Sequence, residues 1–499
     1  MGELYPLYLS EYPTPDFLRE NYTACKMFQS LLLLICSLAT TAAAVSNIPS
    51  RLRLSLDGDD TSNVILTWTT PYAPSSPVVR YGEISKIQDK QLWNIKVAHL
   101  RSSCIPIEAP KTYDYPLKNY TSQYIGSCKL TNLKAGVTYS YTVEANPNDV
   151  TVATQFIAPT SPTASVSSSS PSSSLRIAFI GDMGQTINST HTRDHIIVSK
   201  PFAYNHVVIV GDMSYADSQK TRAQCNHPGG CSPTRWDSWE DFYEPLGSIL
   251  PTMVLTGNHE IELTDAPLNS NDDAMPGMEP FLNYKNRFPM PHVEDKQYFY
   301  SYDVGTKGTT GIHFIHLSSY DIFVDPLWNS TEGKQYIFLK ADLEKVDRSI
   351  TPWVIMCTHS PWYNSNKAHH DEYEEVQLRT LMEDLLYTYN VDMMFSGHVH
   401  AYERSHPVYQ EKITKGATTY INIGDGGNRE GPADSYYAAP KWSAFREGVF
   451  GHGELEIFNS TMAEWKWKRN NIQEVKKEAD SVRFVKRNGI NGGVVALSL

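Results

Sequence analysis

The chain has 499 residues, of which 41% are hydrophobic, and its 43 Lys and Arg against 55 Asp and Glu give a formal net charge of −12. Such a length predicts two or more hydrophobic cores. The negative charge repels a nucleic-acid backbone, so a nucleic-acid-binding function driven by charge is disfavoured. An acidic protein that handles an anionic ligand needs local positive charge, and bound metal ions supply it compactly.

The first patterned segment is the apolar run from Phe28 to Ala44. It is shorter than a membrane span of ~20 residues and ends in small residues, which predicts a signal peptide over 27–44. Residues 1–26 precede it, and two interpretations of them stay open: translation starts at Met27, or the run is a signal anchor with a genuine extension. We expect a secreted protein without a stable membrane span after cleavage, with the cell wall or vacuole as alternative destinations.

Sequons and cysteines agree with secretion. The sequons lie at Asn21, Asn119, Asn188, Asn329 and Asn459. Outside the leader region, the sequence favours pairing of Cys104 with Cys128 and of Cys225 with Cys231. Cys357 lies in an apolar strand-like run and is predicted to be a buried thiol.

Residues 45–159 contain short β-type runs separated by turn residues, a pattern typical of a β-sandwich. Trp68 on a predicted inner strand, and the sequence Leu133-x-x-Gly136-x-x-Tyr139 entering a late strand, resemble a fibronectin type III core with its tyrosine corner. We expect no chemistry here.

Residues 160–174 are rich in Ser, Pro and Thr and predict an interdomain linker. Over 175–467, strand-like runs alternate with amphipathic helices, as in an α/β domain, and 468–499 is expected to be a C-terminal tail. The predicted strands are Arg176–Ile180, Val207–Val210, Thr252–Leu255, Trp353–Met356, Met393–Phe395 and Thr419–Ile423. Two apolar stripes predict helices that cover the sheets, one with Tyr336, Leu339, Leu343 and Val346 and the other with Val376, Leu381 and Leu385.

Five of these strands are followed by residues of metal-ligand type. The clusters are Gly181-Asp182-Met183-Gly184, Gly211-Asp212-Met213-Ser214-Tyr215, Gly257-Asn258-His259-Glu260, Cys357-Thr358-His359 and Gly397-His398-Val399-His400. A single Asp after a strand is more often a helix N-cap than a ligand. Five clusters at strand ends are not explained in that way, because the carboxyl ends of sheet strands converge on one crevice. The sequence therefore predicts a metal site.

The order and spacing of these motifs resemble those of the purple acid phosphatases. Other calcineurin-like phosphoesterases share most of the motifs, but the tyrosine of the second motif, here Tyr215, distinguishes the purple acid phosphatases. The resemblance covers about Ile48 to Trp467. It implies an N-terminal all-β sandwich, fibronectin III-like, followed by an α/β metallophosphoesterase domain, a β-sandwich flanked by helices. The implied function is an acid phosphatase acting on small-molecule phosphate monoesters.

The resemblance also implies a division of the ligands. Fe(III) would be bound by Asp182, Tyr215 and His400. A divalent ion (Zn, Mn or Fe) would be bound by Asn258, His359 and His398, and Asp212 would bridge the two ions. A hard trivalent ion favours phenolate and carboxylate, whereas imidazole and amide oxygen suit the divalent ion. Metal-bound hydroxide would be the nucleophile, and an acidic pH optimum is expected.

The leaving group needs a proton, and an imidazolium can donate it. The candidates for this role and for phosphate contacts are His259, His227, His369 and His370, with Asn258 as a further substrate contact. His369 and His370 resemble the substrate-side histidine pair of the family, and the alternative is a solvated loop pair. Glu260, Glu403 and Arg404 are candidates for orienting the ligand loops, for which a plain surface role is the alternative.

Two other functions stay open at this stage. A phosphodiesterase or nucleotide pyrophosphatase would use the same metal core. A non-catalytic binding or adhesion protein would be expected to have lost ligands, and none of the seven is lost. The sequence specifies no oligomeric state.

Overall fold

The structure is a computed structural model that divides the chain into two compact units, residues 1–46 and 47–499, and the second unit carries all the features below. The described residues are 46–58, 60–75, 77–84, 100–101, 104–108, 112–115, 118–162, 174–198, 204–216, 233–261, 280–292, 297–470, 478–486 and 494–498. The leader, Asn21, Cys225, His227, Cys231 and most of the linker lie outside them. Among the described residues, no helix is long and apolar enough to cross a membrane.

All the elements in the described part of the N-terminal domain are strands. They are β1 Ser50–Leu56, β2 Val64–Thr70, β3 Val78–Glu83, β4 Leu100–Arg101, β5 Cys104–Glu108, β6 Thr112–Tyr115, β7 Lys118–Thr121, β8 Tyr124–Leu130, β9 Thr138–Asn146, β10 Asp149–Val150 and β11 Thr154–Ile157. One sheet has the order β1-β2-β8-β5, the other has β10-β9-β3-β4 with β11 paired to β9, and β6 pairs with β7. The predicted sandwich is confirmed.

The core of this domain matches the predicted fibronectin type III features. Trp68 is 1% exposed, and a Cβ atom on Gly126 would lie 2.5 Å from its ring, so the facing strand needs a glycine there. The hydroxyl of Tyr139 accepts a hydrogen bond from the backbone N–H of Lys134 (3.0 Å), which is the contact of a tyrosine corner. Cys104 and Cys128 are opposite each other in the β5–β8 register, and their pairing stays a prediction.

The second domain alternates strands and helices. Its helices are α1 Ile187–Val198, α2 Thr234–Gly247, α3 Leu282–Arg287, α4 Lys334–Lys345 and α5 Tyr373–Thr388, with 3-10 turns at Asn258–Glu260 and Asp321–Phe323. Its strands are β12 Leu175–Ile180, β13 His206–Ile209, β14 Thr252–Val254, β15 Tyr300–Val304, β16 Ile312–His316, β17 Trp353–Cys357, β18 Met393–Ser396, β19 Tyr402–Ser405, β20 Val408–Tyr409, β21 Lys412–Ile413, β22 Thr419–Ile423, β23 Ser443–Glu447, β24 Gly451–Asn459, β25 Met462–Arg469, β26 Glu478–Lys486 and β27 Val494–Ser498.

Two seven-stranded mixed sheets form the centre of this domain, with the orders β14-β13-β12-β24-β25-β26-β27 and β15-β16-β17-β18-β22-β19-β23. Within them β12, β13 and β14 are parallel to one another, and so are β16, β17, β18 and β22. The sheets pack through aromatic side chains: the Phe179 and Phe395 rings stack with centroids 4.0 Å apart, and the Trp465 ring lies 4.9 Å from that of Phe395. This arrangement confirms the predicted α/β domain.

Two expectations from the sequence need correction. The tail expected over 468–499 instead contains β26 and β27, which extend the first sheet, so the second domain continues to Ser498. In β26 the apolar residues are spread between charged ones, and β27 has only five residues, so neither segment shows a clear alternation. In α5, the buried apolar face is Leu378, Met382 and Leu386, whereas the predicted stripe is only half-buried.

A buried ion cluster joins the two domains. The Glu240 carboxylate on α2 lies 3.0 Å from Nη1 of Arg53 on β1 and 3.4 Å from Nε of Arg287. All three side chains are at most 6% exposed. Charges buried to this extent are tolerated only when they are paired.

Replacing Glu240 by Gln (Glu240→Gln) removes the carboxylate that pairs with the buried Arg53 and one of the two that pair with Arg287, whose Nη2 also lies 3.1 Å from Asp237. We expect this change to lower the free energy of unfolding by about 3–5 kcal/mol. Urea denaturation followed by fluorescence measures this. The control is Glu83→Gln, which removes an exposed pair with Lys134 and should leave the midpoint unchanged. Equal shifts in the two variants would contradict a special role for the buried cluster.

Candidate metal centre

The predicted ligands follow the carboxyl ends of five parallel strands. Asp182 follows β12, Asp212 follows β13, Asn258 follows β14, His359 follows β17 and His398 follows β18. Asp182, Asp212, Tyr215 and His398 adopt left-handed backbone conformations, with φ between 52° and 69°. Such conformations cost about 1–3 kcal/mol each and persist where surrounding contacts enforce them, as they do at functional sites.

One group of three ligand atoms comes from Asp182, Tyr215 and His400. The Tyr215 hydroxyl lies 3.4 Å from Oδ1 of Asp182 and 3.2 Å from Nε2 of His400, and the latter two atoms are 3.4 Å apart. Nδ1 of His400 lies 3.2 Å from the carbonyl of Gly431, so it carries the proton and Nε2 turns its lone pair to the group. These are the residues predicted for the ferric half.

A second group comes from Asp212, Asn258 and His359. Nε2 of His359 lies 3.1 Å from Oδ2 of Asp212 and 3.1 Å from Oδ1 of Asn258. Nδ1 of His359 donates to the carbonyl of Val210 (2.7 Å), so Nε2 again presents a lone pair. Ligand atoms of Asp212, His359 and His398 also lie within 4.8 Å of one another. The structure therefore brings all seven predicted ligands into one site.

The polar atoms of the site fit bound cations. Asp182 and Asp212 are at most 1% exposed, and among the described residues no hydrogen-bond donor satisfies Oδ2 of Asp212. In the second group, a carboxylate oxygen, an amide oxygen and an imidazole nitrogen face one another at hydrogen-bond distance. Burial opposes a charge on His359, but the carboxylates of Asp212 and Asp182 outweigh it and raise the His359 pKa to about 10. The site therefore favours positive charge, and oxygen and imidazole donors suit Fe, Zn or Mn when a metal ion takes the place of that proton.

Two glycines allow the loops to approach this closely. A Cβ atom on Gly257 would lie 2.1 Å from Oδ1 of Asp212, and one on Gly397 would lie 2.4 Å from Oδ2 of Asp182. The backbone N–H of His398 donates to that same Asp182 oxygen (2.8 Å). Any larger residue at either position would displace a predicted ligand.

Glu260 orients two ligand loops. Its carboxylate accepts hydrogen bonds from the backbone N–H groups of Asp212 (2.8 Å), Met213 (2.9 Å) and Gly257 (2.8 Å). Burial raises its pKa to about 7, Asp212 adds to the rise, and the N–H groups of Met213 and Gly257 oppose it. Glu260 therefore holds the backbone of two ligand loops, and because it is buried, the alternative of a surface role is wrong.

The imidazole of His259 packs against the phenol ring of Tyr215, and the centroids of the two rings are 4.0 Å apart. Its Nε2 is 3.7 Å from Oδ2 of Asp212 and 3.8 Å from Oε1 of Glu430. It is 5% exposed. This candidate catalytic histidine therefore borders the predicted ferric half.

His369 and His370 separate in the structure. The His369 ring lies 3.9 Å from that of His398, and its Nδ1 is 2.7 Å from Glu372. His370 is exposed, and its ring lies 4.7 Å from that of Tyr437. Only His369 therefore contacts a predicted ligand side chain, and the second candidate faces the rim.

Glu403 and Arg404 are both buried, so the alternative of a surface pair is wrong. Glu403 accepts from the backbone N–H of Ser365 (2.8 Å) and from the Ser365 hydroxyl (2.6 Å), in the loop that leads to His369. Arg404 forms two hydrogen bonds with Asp480 (2.7 and 2.9 Å) and joins β19 to β26. Of the two, only Glu403 supports a loop of the site.

Sequence reasoning missed three residues of the site. A carboxylate oxygen of Glu372 is 2.8 Å from Nε2 of His398, and the other holds His369. The Tyr320 hydroxyl donates to Oδ1 of Asn258 (3.4 Å). The third residue, Glu430, lies near His259. The sequence marked the loop that carries Glu430, because a sixth predicted strand, Thr419–Ile423, is followed by Gly424-Asp425-Gly426-Gly427, but it did not mark Glu430 itself. The spacing of Glu372 and Tyr320 gave no signal.

Three family models match the chain. The model described as "Calcineurin-like phosphoesterase" matches residues 175–402. The model described as "Purple acid Phosphatase, N-terminal domain" matches residues 49–168, and "Iron/zinc purple acid phosphatase-like protein C" matches 417–478. The three matches together span both domains.

Individual proteins agree with the family models. The chain is 33% identical to "Purple acid phosphatase 15" of Arabidopsis thaliana over 85% of this chain and 82% of that protein. It is 41% identical to "Probable purple acid phosphatase 20" of the same plant over 62% of this chain and 64% of that protein, just under two thirds of its length. A solved purple acid phosphatase from yellow lupin (Lupinus luteus) seeds has a similar fold, with a TM-score of 0.68, 22% identity and coverage of 89% of this chain and 76% of that one.

Proposed function

This chain belongs to the purple acid phosphatases and is a metal-dependent phosphatase, and we propose that it hydrolyses phosphate monoesters at a centre of one ferric and one divalent ion. One observation carries the proposal: two groups of lone-pair donors, one with a phenol oxygen and the other with an amide oxygen, meet in one buried site. The groups differ in hardness, as an Fe(III)–M(II) pair requires.

The residues that would hold the metals keep their predicted division. Asp182, Tyr215 and His400 would bind the ferric ion, Asn258, His359 and His398 would bind Zn, Mn or Fe as the divalent ion, and Asp212 would bridge them. Two such ions, when bound, polarise phosphoryl oxygens and lower the pKa of a bound water.

The chain's own residues orient the donors. The Val210 and Gly431 carbonyls fix the tautomers of His359 and His400, and the Tyr320 hydroxyl holds the oxygen end of the Asn258 amide. Outer contacts of this kind fix the orientation of metal ligands and raise their basicity. Burial of Asp182 and Asp212 keeps the site at low dielectric, where electrostatic stabilisation of a phosphoryl group is strongest.

The competing function is a phosphodiesterase or nucleotide pyrophosphatase on the same core. We expect purified protein with quantified iron and divalent metal to hydrolyse 4-nitrophenyl phosphate in acid with a kcat/KM at least tenfold above that for bis(4-nitrophenyl) phosphate. These substrates share a leaving group, so the ratio reports the second ester group alone. A ratio below one would favour the diesterase.

Replacing Tyr215 by Phe (Tyr215→Phe) removes the phenol oxygen and keeps the ring, so we expect loss of the visible absorbance band that a phenolate gives on a ferric ion. The matched control is Tyr320→Phe, which removes a hydroxyl from the other group and should leave the band in place. A colourless but active wild-type protein without iron would overturn the ferric assignment and leave a generic binuclear phosphoesterase.

We further propose His369 as the proton donor and His259 as a phosphate contact. The Glu372 carboxylate holds Nδ1 of His369, so Nε2 of the same ring points away from Glu372. The His369 side chain is 37% exposed. A leaving group can therefore reach it. The more deeply buried His259 has less access from solvent.

The variant His369→Gln should lower kcat for an alkyl phosphate by roughly 10²–10⁴-fold. The loss should be smaller for 4-nitrophenyl phosphate, because its leaving group needs no proton. His370→Gln is the neighbouring control. Equal losses on both substrates would assign His369 to binding instead.

We also propose that the protein is secreted. The apolar run before residue 45 supports this proposal, as do the sequon residues Asn329 and Asn459, whose side chains are exposed; Asn188 is half-buried in α1. Amino-terminal sequencing of protein recovered from the medium tests it, and recovery only from the cytosol with an intact leader would overturn it.

A further inference from the structure

Three histidines that take no part in the candidate metal centre meet between α1 and β24. His191 and His195 are four residues apart on α1, so they lie on one face of the helix, and their rings are 6.5 Å apart and nearly parallel. The ring of His452, on β24, lies 5.6 Å from that of His195. The ring nitrogens of all three do not lie within 4.8 Å of one another in the structure. Two helical histidines with this spacing and a third from a neighbouring strand can chelate a metal ion once the half-buried His191 ring turns toward the other two.

The tautomer of His452 follows from its neighbour Asn470. The amide nitrogen of Asn470 donates to the Thr192 hydroxyl and to the Asn188 carbonyl, so its oxygen faces the other way. That oxygen lies 3.2 Å from Nδ1 of His452 and accepts the Nδ1 proton. Nε2 of His452 is thus left as a lone pair, which is the usual arrangement for a metal-binding histidine.

Two ring nitrogens of this cluster are buried without a partner. Nδ1 of His195 and Nε2 of His452 find no hydrogen-bond partner among the described residues, and the two side chains are 9% and 1% exposed. Burial lowers the pKa of both imidazoles, that of His452 to about 3, which favours the neutral rings. Unpartnered buried nitrogens are costly, and two of them on adjacent rings point to a shared ligand.

We propose that His195 and His452, completed by His191, form a second metal site for a divalent cation of the zinc class. Imidazole nitrogens prefer Zn²⁺, Cu²⁺ or Ni²⁺ over harder ions. His191 is only half-buried, which gives a route from solvent. The nearby Lys468 ammonium would oppose a cation, but it is paired with Glu454 at 3.0 Å, so its charge is offset.

The ion would fasten α1 to β24. The Ser189 hydroxyl, at the start of this helix, donates to the carbonyl of Met183 (2.6 Å), next to Asp182. Thr192 donates to the carbonyl of Gly426 (2.8 Å). The second site would therefore stabilise the helix that supports one ligand loop of the centre without touching the centre itself.

The test uses the protein with its native metals in place. After equilibrium dialysis against micromolar Zn²⁺, elemental analysis should find about one additional zinc per chain in the wild type and in the control His292→Gln, an exposed histidine outside the cluster. His195→Gln and His452→Gln should lose it, and His191→Gln should bind it at least tenfold more weakly. No additional zinc in the wild type, or its retention by both of the first two variants, would overturn the proposal.

A second measurement needs no variant. Cu²⁺ added to the same wild-type protein should give an electron paramagnetic resonance spectrum with hyperfine structure from two or three imidazole nitrogens, and zinc should compete with it. A spectrum of oxygen ligands alone would overturn the proposal. Phosphatase activity of each variant, which should be unchanged, verifies that it folds.

Discussion

The contact between the two central sheets determines where the chemistry can occur. The stacked rings of Phe179 and Phe395 lie three residues before Asp182 and His398, respectively. Packing these rings at 4.0 Å therefore brings the end of β12 against the end of β18, and the His398 N–H then donates to the Asp182 carboxylate. Burial of large aromatic rings gives this contact its strength, because each ring removes some 150–250 Å² from water.

The site that results is a set of acceptors held together against their own repulsion. Glu260 gathers three backbone N–H groups, the Val210 and Gly431 carbonyls fix two imidazoles, and four predicted ligands keep left-handed backbones. These contacts hold the acceptors in place before a metal binds. The arrangement suits the cations that a purple acid phosphatase holds, because convergent buried acceptors favour a positive ion between them.

The N-terminal sandwich contributes through α2. Arg53 of the sandwich pairs with Glu240 on that helix, whose first turn carries Arg235. The Arg235 guanidinium donates to the backbone carbonyl of Tyr215 (3.0 Å). The domain without predicted chemistry thus supports the helix that holds a predicted ferric ligand.

The sequence by itself predicted six strands of the second domain, the sandwich with its tyrosine corner and the seven candidate ligands that the structure brings together, because each depends on local periodicity or on a motif at a strand end. It did not determine β26 and β27, the partners of Glu260 and Arg404, or the roles of Glu372 and Tyr320. Those contacts join residues far apart in the chain. Likewise, His191 and His195 have a visible spacing, but only the packing of α1 on β24 brings His452 to them. Tertiary structure decides such contacts because the pairing of strands and the burial of side chains depend on the whole fold.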